Sequence, residues 1–78
     1  MTRALAETVV DEFGLNADPR EVAGLSFDEA VAAISSPANG DLKEWRQWSQ
    51  EYTGNAPAAR ASKQGIIETL LHDLLEEA

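Results

Sequence analysis

Apolar residues recur along this chain at intervals of three and four positions, and no useful stretch alternates with a period of two. An interval of three to four places side chains on one face of an α-helix, whereas a period of two is typical of a β-strand. Glycine, proline and serine residues divide the pattern into four or five segments. The sequence therefore predicts an all-α fold, a compact bundle of four or five short helices forming one domain over residues 1–78.

The first predicted helix is amphipathic. Leu5, Val9 and Phe13 lie four residues apart and share one helical face. They predict a helix from about Thr2 to Phe13, which Gly14 ends because glycine readily adopts the left-handed conformation common after a helix.

Two further helix starts carry capping signals. Asp18 followed by Pro19 is typical of an N-cap and a first helical position, and it predicts a short second helix. Ser26, with Glu29 three residues later, is a capping-box pattern. It predicts a third helix from Phe27 to Ile34.

The fourth predicted helix carries most of the aromatic side chains. Asp41 is its N-cap after a loop over residues 35–40, and the helix runs through Tyr52. We expect both tryptophans to lie mainly in the core, with Trp48 the more exposed, because the other three apolar positions form the better stripe. The four apolar positions of this predicted helix are Leu42, Trp45, Trp48 and Tyr52.

The last predicted helix has the widest apolar face and is the expected centre of the core. It covers Lys63 to about Leu75, and two starts are open: Ser62 as N-cap, or Pro57 at the first helical position. Gly65 favours the later start, because a glycine inside a helix costs about 1 kcal/mol relative to alanine. The apolar residues are Ile66, Ile67, Leu70, Leu71, Leu74 and Leu75.

Composition narrows the classes of function. The chain has 78 residues, no cysteine and a formal net charge of −8. The lack of cysteine excludes disulfides and thiolate metal sites and fits a reducing compartment. No apolar run approaches the roughly 20 residues that span a bilayer, and no signal-peptide pattern is present. We therefore expect a cytoplasmic protein that does not associate with membranes.

The charge is unevenly distributed. Four of the six basic residues fall within residues 43–63, which also hold two acids and so carry +2. The rest of the chain carries −10, since the total is −8. Such acidity repels nucleic acid and anionic membranes at long range, and it favours solubility or a basic protein partner.

Candidates for catalysis or metal binding are few. His72 is the only histidine, and Glu68, His72 and Glu76 fall on one helical face at a spacing that would suit a divalent metal. A solvated polar face is the favoured interpretation, because the opposite face already carries the core pattern. We expect no enzymatic activity, no metal and no cofactor.

One pattern resembles a known binding motif. A helix, an irregular linker and the run Lys63-x-x-Ile66-Ile67-x-x-Leu70 follow one another over residues 41–71. The arrangement is similar to the helix–extended loop–helix motif of SAP, LEM and Rho N-terminal-type domains. The resemblance implies a binding unit of this kind in the C-terminal half.

The resemblance implies two kinds of ligand. In SAP-like members, basic residues of the loop and of the second helix start contact nucleic acid phosphates. Arg60 and Lys63 stand at the matching positions, with Arg46 as a further candidate. LEM-like members bind proteins instead.

We therefore expect a non-catalytic, acidic protein-interaction module, an adaptor or inhibitor that binds a basic protein surface, with nucleic-acid mimicry as one form. The alternative is a nucleic-acid-binding helix–extended loop–helix module that uses the basic residues within 43–63. A monomer and a homodimer are both open, because the wide apolar face suits either. The expected site lies at the junction of the last two helices, and its candidate residues are Arg46, Trp48, Tyr52, Arg60 and Lys63.

Overall fold

Five α-helices and one 3₁₀ turn make up the fold in a computed structural model that describes residues 1–77, and no strand occurs in that range. The all-α prediction is confirmed. The helices are α1 (Arg3–Phe13), α2 (Pro19–Ala23), α3 (Phe27–Ile34), α4 (Leu42–Thr53) and α5 (Lys63–Glu77), with the 3₁₀ turn at Pro37–Asn39 between α3 and α4.

Local capping bonds set the helix starts that the sequence predicts. The Ser26 hydroxyl accepts a hydrogen bond from the Glu29 amide at 3.2 Å, and the Glu29 carboxylate accepts one from the Ser26 amide at 3.1 Å. The hydrogen bond from the Ser26 backbone amide favours the charged carboxylate and is the main cause that holds the pKa of Glu29 below its ordinary value, and the Ser26 hydroxyl acts in the same direction. Asp18 caps α2 with a single bond, in which one carboxylate oxygen accepts from the Arg20 backbone amide at 2.9 Å. Gly14, which directly follows α1, adopts the left-handed conformation, as predicted.

The start of α5 is the later of the two alternatives. The Ser62 hydroxyl accepts a hydrogen bond from the Gly65 amide at 3.1 Å, which is the geometry of an N-cap. The linker 54–62 therefore stays outside the helix. The predicted loop over 35–40 is wrong in part, because the Ser36 hydroxyl accepts from the Ala38 amide and caps a 3₁₀ turn.

The core is built around α5, whose Ile66, Ile67, Leu70 and Leu71 are almost fully buried. α5 packs on α3 and α4, while α1 packs mainly on α2. The predicted apolar face of α5 extends too far, because Leu75 is 39% exposed.

The predicted apolar stripe of α4 is wrong at both ends. Leu42 is 44% exposed and Tyr52 is 39% exposed, whereas Trp45 and Ser49 are the buried residues of this helix. Trp45 and Ser49 lie one turn apart, so they share the buried face of α4. Leu42 and Tyr52 occupy the first and last turns of α4, where less of the core covers them. The expectation that Trp48 is the more exposed tryptophan is confirmed, since Trp45 is fully buried and Trp48 only partly.

A buried asparagine connects the two halves of the fold. Asn39 is 5% exposed, and its side-chain oxygen accepts a hydrogen bond from the backbone amide of Asn16 at 2.8 Å. Its backbone carbonyl accepts another from the Trp45 indole N–H at 3.1 Å. These bonds fix the 3₁₀ turn between the α1–α2 loop and α4, and so orient the aromatic side chains of α4.

Within residues 1–77, no helix combines the length and the apolar character that a membrane crossing requires.

Candidate functional site

Four aromatic side chains cluster where α1 ends against α4. The Phe13 ring lies 5.2 Å from Trp45, 5.3 Å from Trp48 and 5.1 Å from Tyr52, measured between ring centroids. The two indoles meet edge to face at 4.8 Å. Such tilted and edge-to-face pairs are favourable beyond the area that they bury. Trp45 anchors the cluster in the core, while Trp48 and Tyr52 bring it to the surface.

Gly40 lets the Trp48 ring approach the backbone. Gly40 has φ 105 and ψ 159, a conformation that is almost confined to glycine. A Cβ atom at this position would stand 3.2 Å from two carbons of the Trp48 ring. The indole therefore packs against both Gly40 and Phe13.

This packing leaves a polar surface cleft, which we name the aromatic cleft, of about 470 Å³. Trp48 lines it together with the end of α1, the 3₁₀ turn and the start of α4. Its principal side chains are Phe13, Asp41, Glu44 and Trp48. An aromatic ring beside two acids is chemically suited to a cationic group.

The two acids of the aromatic cleft are held in place by the start of α4. One oxygen of Asp41 accepts from the Glu44 amide at 2.9 Å, and one oxygen of Glu44 accepts from the Asp41 amide at 3.4 Å. Each carboxylate uses only one oxygen in these bonds and can offer the other to a ligand. Both residues are exposed, and no lysine or arginine of residues 1–77 forms a salt bridge with either.

Helix geometry turns Lys43 away from the face of α4 that carries Trp48. Glu44 lies about 40° around α4 from Trp48, whereas Lys43 lies about 140° away, at 100° per residue. The helical face that carries Trp48 is therefore acidic, although Lys43 and Glu44 are neighbours in the sequence.

Tyr52 extends the acidic surface back to α1. Its hydroxyl donates a hydrogen bond of 2.6 Å to the Glu12 carboxylate. This bond is the largest cause that raises the pKa of Tyr52 above its ordinary value, and partial burial and the charges of Glu12 and Glu51 act in the same direction. The hydrogen bond favours the neutral tyrosine, whose hydroxyl keeps its proton and donates the bond to Glu12.

We expect Glu12→Gln to lower the pKa of Tyr52 towards that of a free tyrosine, because the charged acceptor is lost. Tyr52 is the only tyrosine, so tyrosinate absorbance against pH reports on it alone. The contact stabilises the fold fully below the unfolded pKa of about 10. The stabilisation is lost as pH rises through the higher folded pKa. Coincident titration curves for wild type, Glu12→Gln and the distant control Glu21→Gln would contradict the contact.

Two of the predicted basic site residues bind backbone carbonyls of the chain itself. The Arg46 guanidinium donates to the carbonyl of Ala58 at 3.0 Å and to that of Pro57 at 3.3 Å. The Lys63 ammonium donates to the Ser36 carbonyl at 3.3 Å. Arg46 therefore holds the linker 54–62 against α4, and Lys63 joins the start of α5 to the loop before the 3₁₀ turn.

The five residues predicted as one site lie in several places. Trp48 and Tyr52 lie against the end of α1, and Arg46 lies against the linker. Lys63 points to the end of α3, and Arg60 is exposed on the linker.

The acids beside Trp48 and Tyr52 were missing from the candidate residues. Asp41 and Glu44 show a capping-box spacing, and Glu44 and Trp48 are one turn apart, so part of the acidic surface was readable from the sequence. The approach of Glu12 depends on a contact between residues 40 positions apart in the chain.

His72 packs against the aromatic ring of Phe27. Its ring lies 4.5 Å from that of Phe27, measured between centroids. In the part of the chain that the structure describes, no three histidine, aspartate or glutamate residues are grouped so that they could hold a metal ion.

Comparison of the chain with protein-family models, curated proteins and solved structures finds no match. The resemblance to the helix–extended loop–helix motif therefore stays a prediction.

Proposed function

We propose that this chain is a non-catalytic protein-interaction module that binds a basic segment of another protein at the aromatic cleft. The observation that carries the proposal is the position of Trp48, partly exposed beside the carboxylates of Asp41 and Glu44. Tryptophan, tyrosine and arginine are the residues that most often dominate binding at protein interfaces. The net charge of −8 favours encounter with a basic partner.

The chemistry of the cleft favours arginine as the main contact of the partner. Trp48 lines the cleft and is only partly buried. Tryptophan gives the strongest cation–π attraction of the aromatic side chains when a guanidinium group lies over its ring face. A guanidinium group can also donate paired hydrogen bonds to a carboxylate such as Asp41 or Glu44. Both acids are already oriented by the capping box, so binding needs little ordering of side chains.

A nucleic-acid-binding function has weaker support. Such a module would direct its cations at phosphates, yet Arg46 and Lys63 donate to backbone carbonyls. Arg60 alone among the three matching residues has no such bond within residues 1–77.

A titration with a peptide of alternating arginine and glycine tests the proposal. The double variant Asp41→Asn, Glu44→Gln keeps side chains that can cap α4. We expect it to weaken binding about five- to tenfold, because two partly exposed charge pairs are lost. The control Glu21→Gln, Asp28→Asn removes the same charge from exposed positions of α2 and α3, and it should bind like wild type. Equal losses in both variants would mean that total charge alone attracts the peptide, and the proposed site would be wrong.

A gel-shift assay distinguishes the proposed protein-binding function from nucleic-acid binding. We expect no shift of single- or double-stranded DNA or RNA at about 50 mM salt, where phosphate contacts are strong. A shift that is lost on Arg60→Glu and weakens steeply with salt would overturn the proposal in favour of the nucleic-acid-binding module.

A further inference from the structure

A second cleft lies between α4, the linker 54–62 and α5, and it shares no lining residue with the aromatic cleft. Its volume is about 350 Å³. We name it the linker cleft. Ser49 and Thr53 line it from α4, and Gly65, Thr69 and Asp73 line it from α5. The spacing of four residues on each helix gives two parallel rows of small or polar side chains.

Ser49 is the unusual member of this cleft. It is only 5% exposed and lines the cleft, and its hydroxyl forms no hydrogen bond with another described residue. Polar side chains buried to this degree nearly always have a partner. A nearly buried serine without a protein partner, in the lining of a cleft, points to a polar ligand there.

Two hydroxyls of the linker cleft have their protons in use. The Thr53 hydroxyl donates to the Ser49 carbonyl at 2.7 Å, and the Thr69 hydroxyl donates to the Gly65 carbonyl at 3.0 Å. Both hydroxyls therefore offer only lone pairs, and the Thr53 oxygen already accepts from the Asn55 backbone amide at 3.2 Å. The side-chain amide of Asn55, which also lines the cleft, donates to the Thr53 carbonyl at 3.4 Å. Asp73, half-buried, is the one charged residue that lines the cleft, and it forms no salt bridge within residues 1–77. The cleft therefore favours a cationic donor.

Much of the remaining wall is aliphatic. Ala58, Ala61 and Ile66 line the cleft, and Gly65 adds no side chain. Gly65 and Asp73 are eight residues apart, which spans about 12 Å along α5. This lining suits a flexible methylene chain that ends in an ammonium group. The three rotatable donors of an ammonium group can reach single acceptors on two helices, whereas a guanidinium has the fixed geometry that matches one bidentate carboxylate. The bonds from Arg46 to the Pro57 and Ala58 carbonyls hold this wall in place.

We propose that the linker cleft receives one lysine side chain of the basic protein partner. The methylene stem lies along the alanine and isoleucine wall, and the ammonium group donates to the Asp73 carboxylate and to the hydroxyl oxygens of the cleft. Ser49 can accept such a bond while its own proton turns to a carbonyl in the preceding turn, as Thr53 and Thr69 do. This inference rests on the proposed function only for the source of the lysine.

The test uses isolated lysine, so it does not depend on the aromatic cleft. N-acetyl-lysine amide is titrated into the full chain, with N-acetyl-norleucine amide and N-acetyl-arginine amide as matched probes, and backbone amide shifts are followed by NMR. We expect the lysine probe to shift the amides of Ser49, Thr69 and Asp73 and to bind more tightly than either other probe. Norleucine has a similar apolar stem without the charge, so its weaker binding isolates the contribution of the ammonium group.

Three variants test which side chains of the chain bind the ammonium group of the lysine probe. Asp73→Asn should weaken lysine binding about tenfold, since a hydrogen bond to a charged group is lost. Ser49→Ala should weaken it about threefold, and its unfolding midpoint should match wild type because the hydroxyl has no protein partner. Glu68→Gln removes an exposed acid of α5 outside the cleft and should change binding less than about twofold.

Two results would overturn the inference. Norleucine or arginine probes that bind as tightly as lysine would exclude a lysine slot. Equal effects of Asp73→Asn and Glu68→Gln would show that only the general acidity of α5 attracts the probe. Failure of the arginine–glycine peptide at the aromatic cleft leaves each of these outcomes unchanged, so the two proposals fail separately.

Discussion

Trp45→Ala is expected to remove a large part of the free energy of unfolding. Trp45 is fully buried, contacts Phe13 and Trp48, and donates its indole N–H to the Asn39 carbonyl. Truncating a buried tryptophan to alanine costs about 3 to 5 kcal/mol. A domain of this length has a total stability of about 4 to 12 kcal/mol, so the loss removes much of it.

Denaturant unfolding followed by far-ultraviolet circular dichroism measures this loss, with Trp48→Ala as the matched control. Trp48 is only partly buried and its indole has no hydrogen bond to the rest of residues 1–77. Its truncation should cost about 1 to 2 kcal/mol. Equal losses in the two variants would show that Trp45 is not the anchor of the aromatic cluster.

Gly40→Ala is the second substitution with a large expected effect. Its backbone conformation is nearly restricted to glycine, and the new methyl group would stand 3.2 Å from the Trp48 ring. Backbone strain and the displaced ring together should cost about 2 to 4 kcal/mol. The same change should also shift the NMR resonance of the Trp48 indole N–H, because the ring must move.

Gly54→Ala is the control for Gly40→Ala. Gly54 also has positive φ, at 77, but a Cβ atom there meets nothing within 4 Å. Gly54→Ala should lower the free energy of unfolding by only about 1 to 2 kcal/mol, the usual cost of an alanine in the left-handed conformation. If the two variants unfold at the same denaturant concentration, the close packing of Trp48 on Gly40 is refuted.

The helix boundaries were predictable because short-range signals determine them. Ser26 and Asp41 cap their helices through residues three positions away, and the α5 start follows from Ser62 and Gly65. The sequence contains every one of these pairs within a single turn.

The candidate site was only partly predictable because its contacts join distant parts of the chain. The prediction that Trp48 is more exposed than Trp45 is confirmed, although the stripe of Leu42, Trp45 and Tyr52 on which it rested is wrong at both ends. The contact between Glu12 and Tyr52, and the use of Arg46 to hold the linker, depend on how the helices pack. A charge count along the sequence suggested a basic patch. In the fold, however, the side chains of Arg46 and Lys63 donate hydrogen bonds to backbone carbonyls of the chain.

The aromatic cleft is the centre of this account, and NMR mapping of the arginine–glycine peptide on the isotope-labelled full chain tests it most directly. We predict that the Trp48 indole N–H and the amides of Gly40 and Glu44 shift progressively with added peptide. The same resonances should move less in the Asp41→Asn, Glu44→Gln variant. Saturable shifts confined to Arg60 and the start of α5, with Trp48 unmoved, would contradict the account.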